Sequence, residues 1–183
     1  MRQLFLNVKR PMDKNISLQE TSIFLHCVIM PELPEVETVK NGLLQMLSGP
    51  VSIDDVFRSK NRLRFPMPKR FKARLVGKSV NAISRRAKYL LFDLGDEFLL
   101  NHLGMTGSWR RSSSAKSKKH DHLSLQIGPH DFLVYNDPRR FGYFDLIGKN
   151  NWQQTRWFQH LGPEPLSSDF NGEYLKAQFK KRK

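Results

Sequence analysis

The chain has 183 residues, of which 31 are lysine or arginine and 17 are aspartate or glutamate, so its formal net charge at pH 7 is +14. This surplus favours a polyanionic partner, with nucleic acid ahead of an acidic membrane surface, while the 39% hydrophobic content with 13 phenylalanines excludes a disordered basic tail. Because Cys27 is the only cysteine, the chain cannot form an internal disulfide or a thiolate zinc finger. No apolar stretch approaches the roughly 20 residues of a membrane span, so we expect a cytoplasmic protein without a membrane anchor.

The N-terminal part of the chain divides at about residue 30. Residues 1–29 show no sustained apolar period, and we expect an irregular extension there. From Pro34 the apolar residues recur at three- and four-residue spacing, which predicts a helix that ends at Gly49. Proline suits the first turn of a helix, and the acidic Glu35 and Glu37 favour the positive end of its dipole.

Short apolar runs separated by turn residues follow this helix. The strands that they predict cover residues 51–57, 80–83, 89–94, 98–100, 123–127, 132–135 and 143–147. A segment rich in serine and lysine at residues 110–120 predicts a mobile loop. One helix followed by many short strands indicates an α+β fold with an antiparallel β-sandwich.

After residue 148 the pattern turns helical again. Residues 152–161 predict a helix, which the prolines of residues 162–165 end. Ser167 or Ser168 would cap a final helix. The predicted organisation is an N-terminal extension over residues 1–29, a β-sandwich domain over 30–148 and a helical segment over 149–183.

Residues 30–38, MPELPEVET, place a proline directly after a methionine. If that methionine were the first residue and were removed, Pro31 would carry a free secondary amine beside Glu32 and Glu35, and such an amine can attack the C1′ of a sugar. With residues 1–29 attached, the nitrogen of Pro31 belongs to a tertiary amide and is not nucleophilic. A helix entry with acidic first-turn residues explains the same motif without any chemistry.

Two further segments carry candidate binding residues. The basic segment 85–88, which ends in Lys88, precedes an apolar run, where its cations could meet phosphates or polarise a substrate oxygen; a solvated basic turn is the plainer alternative. In the segment 101–108, two glycines allow a tight turn that presents Met105 to a base stack, and His102 could bind phosphate. A place in the protein core is the commoner role for a methionine and an equally ordinary one for His102.

Residues 136–142, NDPRRFG, begin with an Asp-Pro turn that places Arg139 and Phe141 at its tip. An arginine reads bases or phosphates through two hydrogen bonds, and a phenylalanine wedge can fill the space of an extruded base. A surface turn with chance cations explains Arg140 but not the large aromatic residue that follows it.

In this order the motifs resemble those of the bacterial formamidopyrimidine-DNA glycosylases, which repair 8-oxoguanine. The resemblance runs from Met30 to the end of the chain, through LGPEPL at residues 161–166, and Arg139 and Phe141 favour this family over the sister endonuclease VIII group. It implies an N-terminal helix plus an antiparallel β-sandwich, followed over residues 149–183 by the first helices of a helix–two-turn–helix DNA-binding domain. It also implies a monomer that acts on double-stranded DNA containing oxidised purines.

The resemblance implies a role for each motif residue. Pro31 would attack C1′ and form a Schiff base, after which elimination at the 3′ and then the 5′ phosphate leaves a one-nucleotide gap. Glu32 would donate a proton to the sugar, Glu35 would support the amine, and Lys88 would contact the lesion and its phosphate. The residues expected to bind DNA are His102, at a phosphate, and the void-filling residues Met105, Arg139 and Phe141.

The chain departs from the family at both ends. The family has no counterpart of residues 1–29, and its members continue through the helix–two-turn–helix domain into a four-cysteine zinc finger. We therefore expect a C-terminally truncated chain with no metal or other cofactor and with little or no glycosylase activity, and we expect residues 1–29 to be an upstream extension or a start-site misassignment. The alternatives are a non-catalytic binder of damaged DNA and, on charge alone, a ribosome- or RNA-associated protein.

Overall fold

A computed structural model describes residues 31–116 and 118–180 of the chain; the extension predicted for residues 1–29 lies outside them. The helices within these ranges are α1 (Leu33–Leu47), α2 (Phe71–Leu75) and α3 (Gly172–Lys180). The strands are β1 (Val51–Ser52), β2 (Asp55–Arg58), β3 (Ser79–Val80), β4 (Ala82–Arg86), β5 (Tyr89–Asp93), β6 (Glu97–His102), β7 (Ser108–Ser112), β8 (Asp121–Gly128), β9 (Asp131–Asn136) and β10 (Tyr143–Gly148).

Helix α1 forms where its apolar spacing predicts it. The backbone N–H of Glu32 donates a hydrogen bond to Oε2 of Glu35 at 2.9 Å, which closes the first turn. The helix ends at Ser48, which takes the left-handed conformation. Val36 and Leu43 are buried on one face of α1, and the helix packs against β4, β5 and β7. This packing places the start of α1 at the edge of the sheets.

The strands form two four-stranded antiparallel sheets, in the orders β10-β6-β5-β4 and β2-β8-β9-β7, and β1 pairs with β3 in a small third sheet. Side chains from the two larger sheets meet in one core. The ring of Phe92 lies 5.4 Å from that of Trp109, and the ring of Tyr135 lies 4.9 Å from that of Phe144. The predicted α+β fold with an antiparallel sandwich is confirmed.

The first of these sheets is buried on both faces, which explains the continuous apolar runs of residues 89–92 in β5 and 98–100 in β6. Its second face is covered by aromatic side chains from residues 152–158. The indole N–H of Trp157 donates to Oδ2 of Asp145 at 2.7 Å, and Phe158 is buried. The helix predicted over residues 152–161 is wrong, because this packing replaces it with a short 3-10 helix, Trp152–Gln154, followed by turns.

Two predictions of strand and loop are wrong in part. The single strand expected over residues 51–57 is divided into β1 and β2, since the N–H of Ile53 bonds instead to the carbonyl of Lys78 at 2.8 Å. The loop expected over residues 110–120 begins later, because its first three residues belong to β7. Arg110 is buried there in an ion pair with Asp121 at 2.7 Å, which neutralises its charge. Nothing in the neighbouring sequence predicts that this arginine is buried.

Two features of the helices also differ from expectation. Helix α3 begins at Gly172, later than a cap at Ser167 or Ser168 would place it, and Oδ1 of Asn171 accepts the N–H of Tyr174 at 3.0 Å. Helix α2 was not predicted, since five residues are too short for an apolar period to show.

Within residues 31–116 and 118–180, none of the helices has the length and apolar character needed to cross a membrane. The same residues contain no cluster of three or more histidine, cysteine, aspartate or glutamate side chains suited to hold a metal ion.

Candidate functional site

The turn between β4 and β5 brings Lys88 to the start of α1. Ala87 has a φ of 49°, a left-handed conformation that reverses the chain between the two strands. Nζ of Lys88 lies 2.7 Å from Oε1 of Glu32. Both side chains are more than one-third exposed, at 35% for Lys88 and 52% for Glu32, so a bound molecule can reach the pair.

Pro31 and Glu35 lie at the same end of α1. The hydrogen bond from the N–H of Glu32 to Glu35 fixes the first helical turn, one residue after Pro31. In the 183-residue sequence Met30 precedes Pro31, so the nitrogen of Pro31 is part of an amide. The residues predicted to be catalytic are thus grouped around one helix end: Pro31, Glu32, Glu35 and Lys88. Their roles stay predictions.

His102 ends β6 and lies close to Lys88. Its Nδ1 accepts the backbone N–H of Gly104 at 3.0 Å, and its ring stacks on that of Tyr143 with the centroids 5.1 Å apart. Burial, assisted by the charges of Lys88 and Arg64, lowers the pKa of His102 from its ordinary value to about 4. The ring is therefore neutral at pH 7, and since Nδ1 is an acceptor, Nε2 carries the proton that could bond a phosphate oxygen.

The loop between β6 and β7 carries Met105, and the loop between β9 and β10 carries Arg139 and Phe141. The hydroxyl of Thr106 donates to Oδ1 of Asp137 at 2.5 Å, and the N–H of Arg139 donates to the same hydroxyl at 3.2 Å. The two loops are therefore joined directly. The structure brings together the residues predicted to fill the void left by an extruded base.

A close backbone approach also holds the two loops together. Gly104 has a φ of +68°, and a Cβ built on it would lie 2.4 Å from the backbone N of Gly142 and 2.5 Å from the backbone C of Phe141. A side chain would thus strain the turn and push the loops apart, which is why a glycine precedes Met105.

The side chains at the tips of these loops differ in exposure. Phe141 is 41% exposed, and the guanidinium of Arg139 lies 5.1 Å from the centre of its ring. Met105 is half-buried, so it is less exposed than a turn that presents its side chain outward predicts. An exposed phenylalanine beside an arginine on an anchored loop is suited to insert into a stack of bases.

Asp137 anchors the second loop from inside the protein. Its side chain is fully buried, and Oδ2 accepts the N–H of Gly142 at 2.8 Å. The buried His122 donates from Nε2 to the Asp137 carbonyl at 3.0 Å, and its Nδ1 lies 2.9 Å from the hydroxyl of Ser59. The sequence marked Asp137 only as the start of a turn, since its burial depends on strands far away in the chain.

The arginines of the basic segment pair with carboxylates and do not form a solvated turn. Arg85 and Arg86 lie in β4, and Nη1 of each pairs with Glu164, at 2.8 Å and 2.6 Å. Nε of Arg85 also pairs with Glu37 at 2.7 Å. Sequence reasoning missed these acidic partners because they lie 48 and 79 residues from Arg85.

Arg64 is a further basic residue that sequence reasoning missed. It is exposed, its backbone N–H donates to the carbonyl of Gly142 at 3.2 Å, and its charge acts on His102. In a chain with 31 lysines and arginines, nothing in the local sequence distinguishes it. Its position makes it a candidate phosphate contact beside Lys88 and His102.

A four-cysteine zinc site does not fit the residues of this chain. Its 183 residues include a single cysteine, Cys27, and such a site requires four thiolates or their histidine substitutes arranged as a tetrahedron. The side chains of these residues therefore do not supply the ligands of a zinc site of this kind.

Comparison with known proteins finds similarity to the formamidopyrimidine-DNA glycosylases. The family described as the formamidopyrimidine-DNA glycosylase N-terminal domain matches residues 30–144. The formamidopyrimidine-DNA glycosylase of Bartonella quintana is 43% identical over 168 residues, covering 84% of this chain and 57% of its own length. That of Legionella pneumophila strain Lens is 47% identical over 147 residues, covering 80% of this chain and 53% of its own length.

Solved structures of the Lactococcus lactis formamidopyrimidine-DNA glycosylase have a similar fold. Its complex with DNA containing an AP site has a TM-score of 0.72 and 34% identity, and covers 82% of this chain and 58% of that one. Its complex with DNA containing Fapy-dG has the same TM-score and identity, and covers 82% and 57%. The chain thus spans a little more than half the length of the curated relatives and of the structures that it matches.

Proposed function

Since this chain belongs to the formamidopyrimidine-DNA glycosylase family, we propose that it recognises oxidised purines in duplex DNA and that its active form excises them. The single observation that carries the proposal is the ion pair between Nζ of Lys88 and Oε1 of Glu32 at 2.7 Å. It lies at the N-terminal end of α1, directly after Pro31. Structures of the Lactococcus lactis relative hold DNA with an AP site or with Fapy-dG, which supports the choice of substrate.

The proposed chemistry begins with a free amine on Pro31. The nitrogen lone pair attacks C1′ of the damaged nucleotide, and the bond from C1′ to the base breaks; the amine nitrogen gives up its proton, and the base leaves with one proton gained. Glu32 donates a proton to the ring oxygen, the sugar opens and an iminium forms between Pro31 and C1′. Loss of a proton from C2′ then forms a double bond and expels the 3′ phosphate, and loss of a proton from C4′ expels the 5′ phosphate in the same way, which leaves a one-nucleotide gap. Glu35 supports the amine, and Lys88 contacts the lesion and its phosphate.

The proposed DNA contacts divide between positioning and extrusion. His102 holds a phosphate through its Nε2 proton, as the hydrogen bond to its Nδ1 allows. Met105, Arg139 and Phe141 enter the duplex where the damaged base leaves it, and their side chains lower the cost of extrusion. We propose that the chain acts on DNA as a monomer and in the cytoplasm.

The peptide bond between Met30 and Pro31 decides which form is active. In the 183-residue chain this bond removes the nucleophile, so we expect little or no covalent chemistry from it. A second candidate function follows from the same observation: with residues 1–29 attached, the chain binds damaged DNA without cleaving it, because the two loops do not require the amine.

Borohydride trapping on an 8-oxoguanine duplex tests both functions. The 183-residue chain and a form that begins at Pro31 are compared, with Glu32→Gln in the second form as the control for the proton donor; intact mass establishes the first residue of each. We expect the form beginning at Pro31 to give a stronger covalent band than the 183-residue chain and than its own Glu32→Gln variant. A strong band from the 183-residue chain contradicts the need for a free Pro31.

Binding measurements separate the remaining possibilities. Preference of the 183-residue chain for the 8-oxoguanine duplex without trapping supports the non-catalytic binder. Equal affinity for damaged duplex, undamaged duplex and RNA contradicts both functions and leaves binding by charge alone.

A further inference from the structure

We propose that Glu164 is a positioning residue that fixes Lys88 opposite Glu32; this inference rests on the proposed function, because it concerns the same site. Glu164 lies in the segment after β10, 76 residues from Lys88 in the sequence. Sequence reasoning placed it in a helix-ending segment and in the LGPEPL motif of the family resemblance, without a role of its own. The structure places its carboxylate against the turn that carries Lys88.

Both oxygens of the Glu164 carboxylate accept hydrogen bonds from the turn that carries Lys88 and from the end of β4. Oε1 accepts the backbone N–H of Ala87 at 2.6 Å and Nη1 of Arg86 at 2.6 Å, and Oε2 accepts Nη1 of Arg85 at 2.8 Å. The carbonyl of Gly162 accepts a further hydrogen bond from Arg86. Because Ala87 directly precedes Lys88, the carboxylate holds the backbone from which the lysine side chain extends.

The same arginine connects this turn to helix α1. Nε of Arg85 donates to Oε2 of Glu37 at 2.7 Å, while its Nη1 pairs with Glu164. Glu37 and Glu32 are five residues apart at the start of α1. The chain of contacts from Glu164 through Arg85 to Glu37 therefore sets the distance between the helix that carries Glu32 and the turn that carries Lys88.

The charge of Glu164 suits this role. Burial raises its pKa, but the hydrogen bonds from Ala87, Arg86 and Arg85 outweigh burial and lower the pKa overall, so the side chain is ionised at neutral pH. Its hydrogen bonds to two guanidinium groups are charge-assisted and short. Two of the chain's many cations are thus neutralised beside the site, and Lys88 is left as the basic residue of this turn that faces an incoming phosphate.

A lysine needs such support to act at a defined point. Its side chain has several rotatable bonds and presents a compact charge without the fixed fork of an arginine. A functional group must be held to within about half an ångström of its working position by the residues behind it. Because the turn itself is left-handed at Ala87, its hydrogen bond to Glu164 also stabilises a conformation that alanine rarely adopts.

The first test measures DNA binding by the full chain. Dissociation constants of wild type and Glu164→Gln are measured on 8-oxoguanine and undamaged duplexes over a range of salt. We expect the preference for the lesion to fall about tenfold, as for the loss of one specific contact. Affinity for undamaged duplex should rise with a steeper salt dependence, because Arg86 loses its ion pair while Arg85 keeps the one to Glu37. Unchanged lesion preference in this variant overturns the proposal.

Asp131→Asn is the matched control for these measurements. Asp131, the first residue of β9, pairs with Nε and Nη2 of Arg111. Its neutralisation therefore also removes an ion pair from an arginine that keeps one other hydrogen bond, to the carbonyl of Met46. We expect this variant to bind undamaged duplex more tightly but to keep the wild-type lesion preference. An equal loss of preference in Asp131→Asn assigns the effect to charge and overturns the positioning role.

The second test needs no DNA. The lysines of the full chain are dimethylated with ¹³C, and the Lys88 signal is assigned by its absence from Lys88→Arg. Glu32→Gln gives the displacement of that signal when the pair is broken. Glu164→Gln should move it in the same direction by at least half as much, and Asp131→Asn should not move it. A Lys88 signal at the wild-type position in Glu164→Gln contradicts the proposal.

The two tests distinguish a failure of the proposed function from a failure of the positioning role of Glu164. If wild type shows no lesion preference, the proposed function fails, and the Lys88 signal still decides whether Glu164 positions the lysine. Should Glu164→Gln not fold, as judged by circular dichroism, Glu164→Asp and Arg86→Gln take its place. The aspartate keeps the charge but is one methylene shorter, so its displacement of the Lys88 signal should lie between wild type and Arg86→Gln; wild-type signals in both variants overturn the proposal.

Discussion

The hydroxyl of Thr106 donates a hydrogen bond to the buried carboxylate of Asp137 at 2.5 Å and accepts one from the N–H of Arg139 at 3.2 Å. One side chain thus connects the loop of Met105 to the loop of Phe141. Neither loop belongs to a strand at this point, so their mutual position depends on such contacts more than on the sheets. The rigidity of the two loops that carry Met105, Arg139 and Phe141 can therefore be tested without substituting any of these three residues.

Thr106→Val should loosen the two loops. Valine has a similar shape but no hydroxyl, so Oδ1 of Asp137 and the N–H of Arg139 both lose a partner. We expect the free energy of unfolding to fall by about 1–3 kcal/mol, the cost of leaving a buried carboxylate oxygen without this partner. Urea denaturation measures this change, and trypsin should cleave faster after the exposed Arg139 and Arg140. Thr106→Ser keeps the hydroxyl and serves as control; equal destabilisation in both variants argues against the hydrogen bond.

Gly104→Ala should destabilise the protein far more than Gly77→Ala. Both glycines have a positive φ, at +68° and +83°, so both variants incur the left-handed cost of about 1–2 kcal/mol for a residue with a Cβ. A Cβ at Gly77 meets nothing within 4 Å, whereas one at Gly104 would lie 2.4 Å from the backbone of Gly142. We expect Gly104→Ala to lose about 1–3 kcal/mol more in urea denaturation. Similar losses would mean that the loops separate easily.

Acid should destabilise the fold through His102. Its pKa is lowered from 6.5 to about 4 in the folded protein by burial and by the charges of Lys88 and Arg64, so between these pH values the unfolded chain binds a proton that the folded chain does not. Stability present above pH 6.5 is therefore lost as the pH falls, by about 2 kcal/mol at pH 5.

Urea denaturation of wild type and His102→Gln at pH 7 and pH 5 checks this. The glutamine variant should lose much less stability on acidification than wild type. Some loss remains, because burial also lowers the pKa of His122. The same slope in both proteins would show that His102 is not the group that titrates.

The sequence predicts the sandwich well because the signals for its strands are local. Alternating or continuous apolar residues mark β5, β6, β8 and β9, and turn residues separate them. The residues around Lys88 and Arg139 were found in the same way, since short motifs carry them. Where the structure brings these motifs together could not be derived from their spacing, because strands paired far apart along the chain decide it.

What the sequence does not reveal depends on distant packing. The aromatic residues of 152–158 form turns in place of a helix because they cover the outer face of a sheet. The LGPEPL motif contains Glu164 but does not show what its carboxylate contacts; the structure does, because the backbone N–H of Ala87 donates to it at 2.6 Å. Buried charges such as Arg110 follow the same rule, since the partner that allows their burial lies on another strand.

The exposed tip of the β9–β10 loop allows a direct test of DNA recognition. Arg139→Ala and Phe141→Ala remove the two side chains proposed to fill the space of the damaged base. Because both residues are exposed, the free energy of unfolding should change by no more than about 0.5 kcal/mol. We expect each variant to lose about tenfold or more in affinity for an 8-oxoguanine duplex, as for removal of one side chain that stacks on a base.

Arg140→Ala is the matched control, since Arg140 is the exposed neighbour of both residues and carries the same charge as Arg139. It should weaken binding to damaged and undamaged duplex alike, because a phosphate contact carries no information about the lesion. Arg139→Ala and Phe141→Ala should instead reduce the preference for the lesion, measured as the ratio of the two dissociation constants at one salt concentration. If all three variants lower both affinities equally, the loop contributes only charge, and the wedge assigned to Arg139 and Phe141 is wrong.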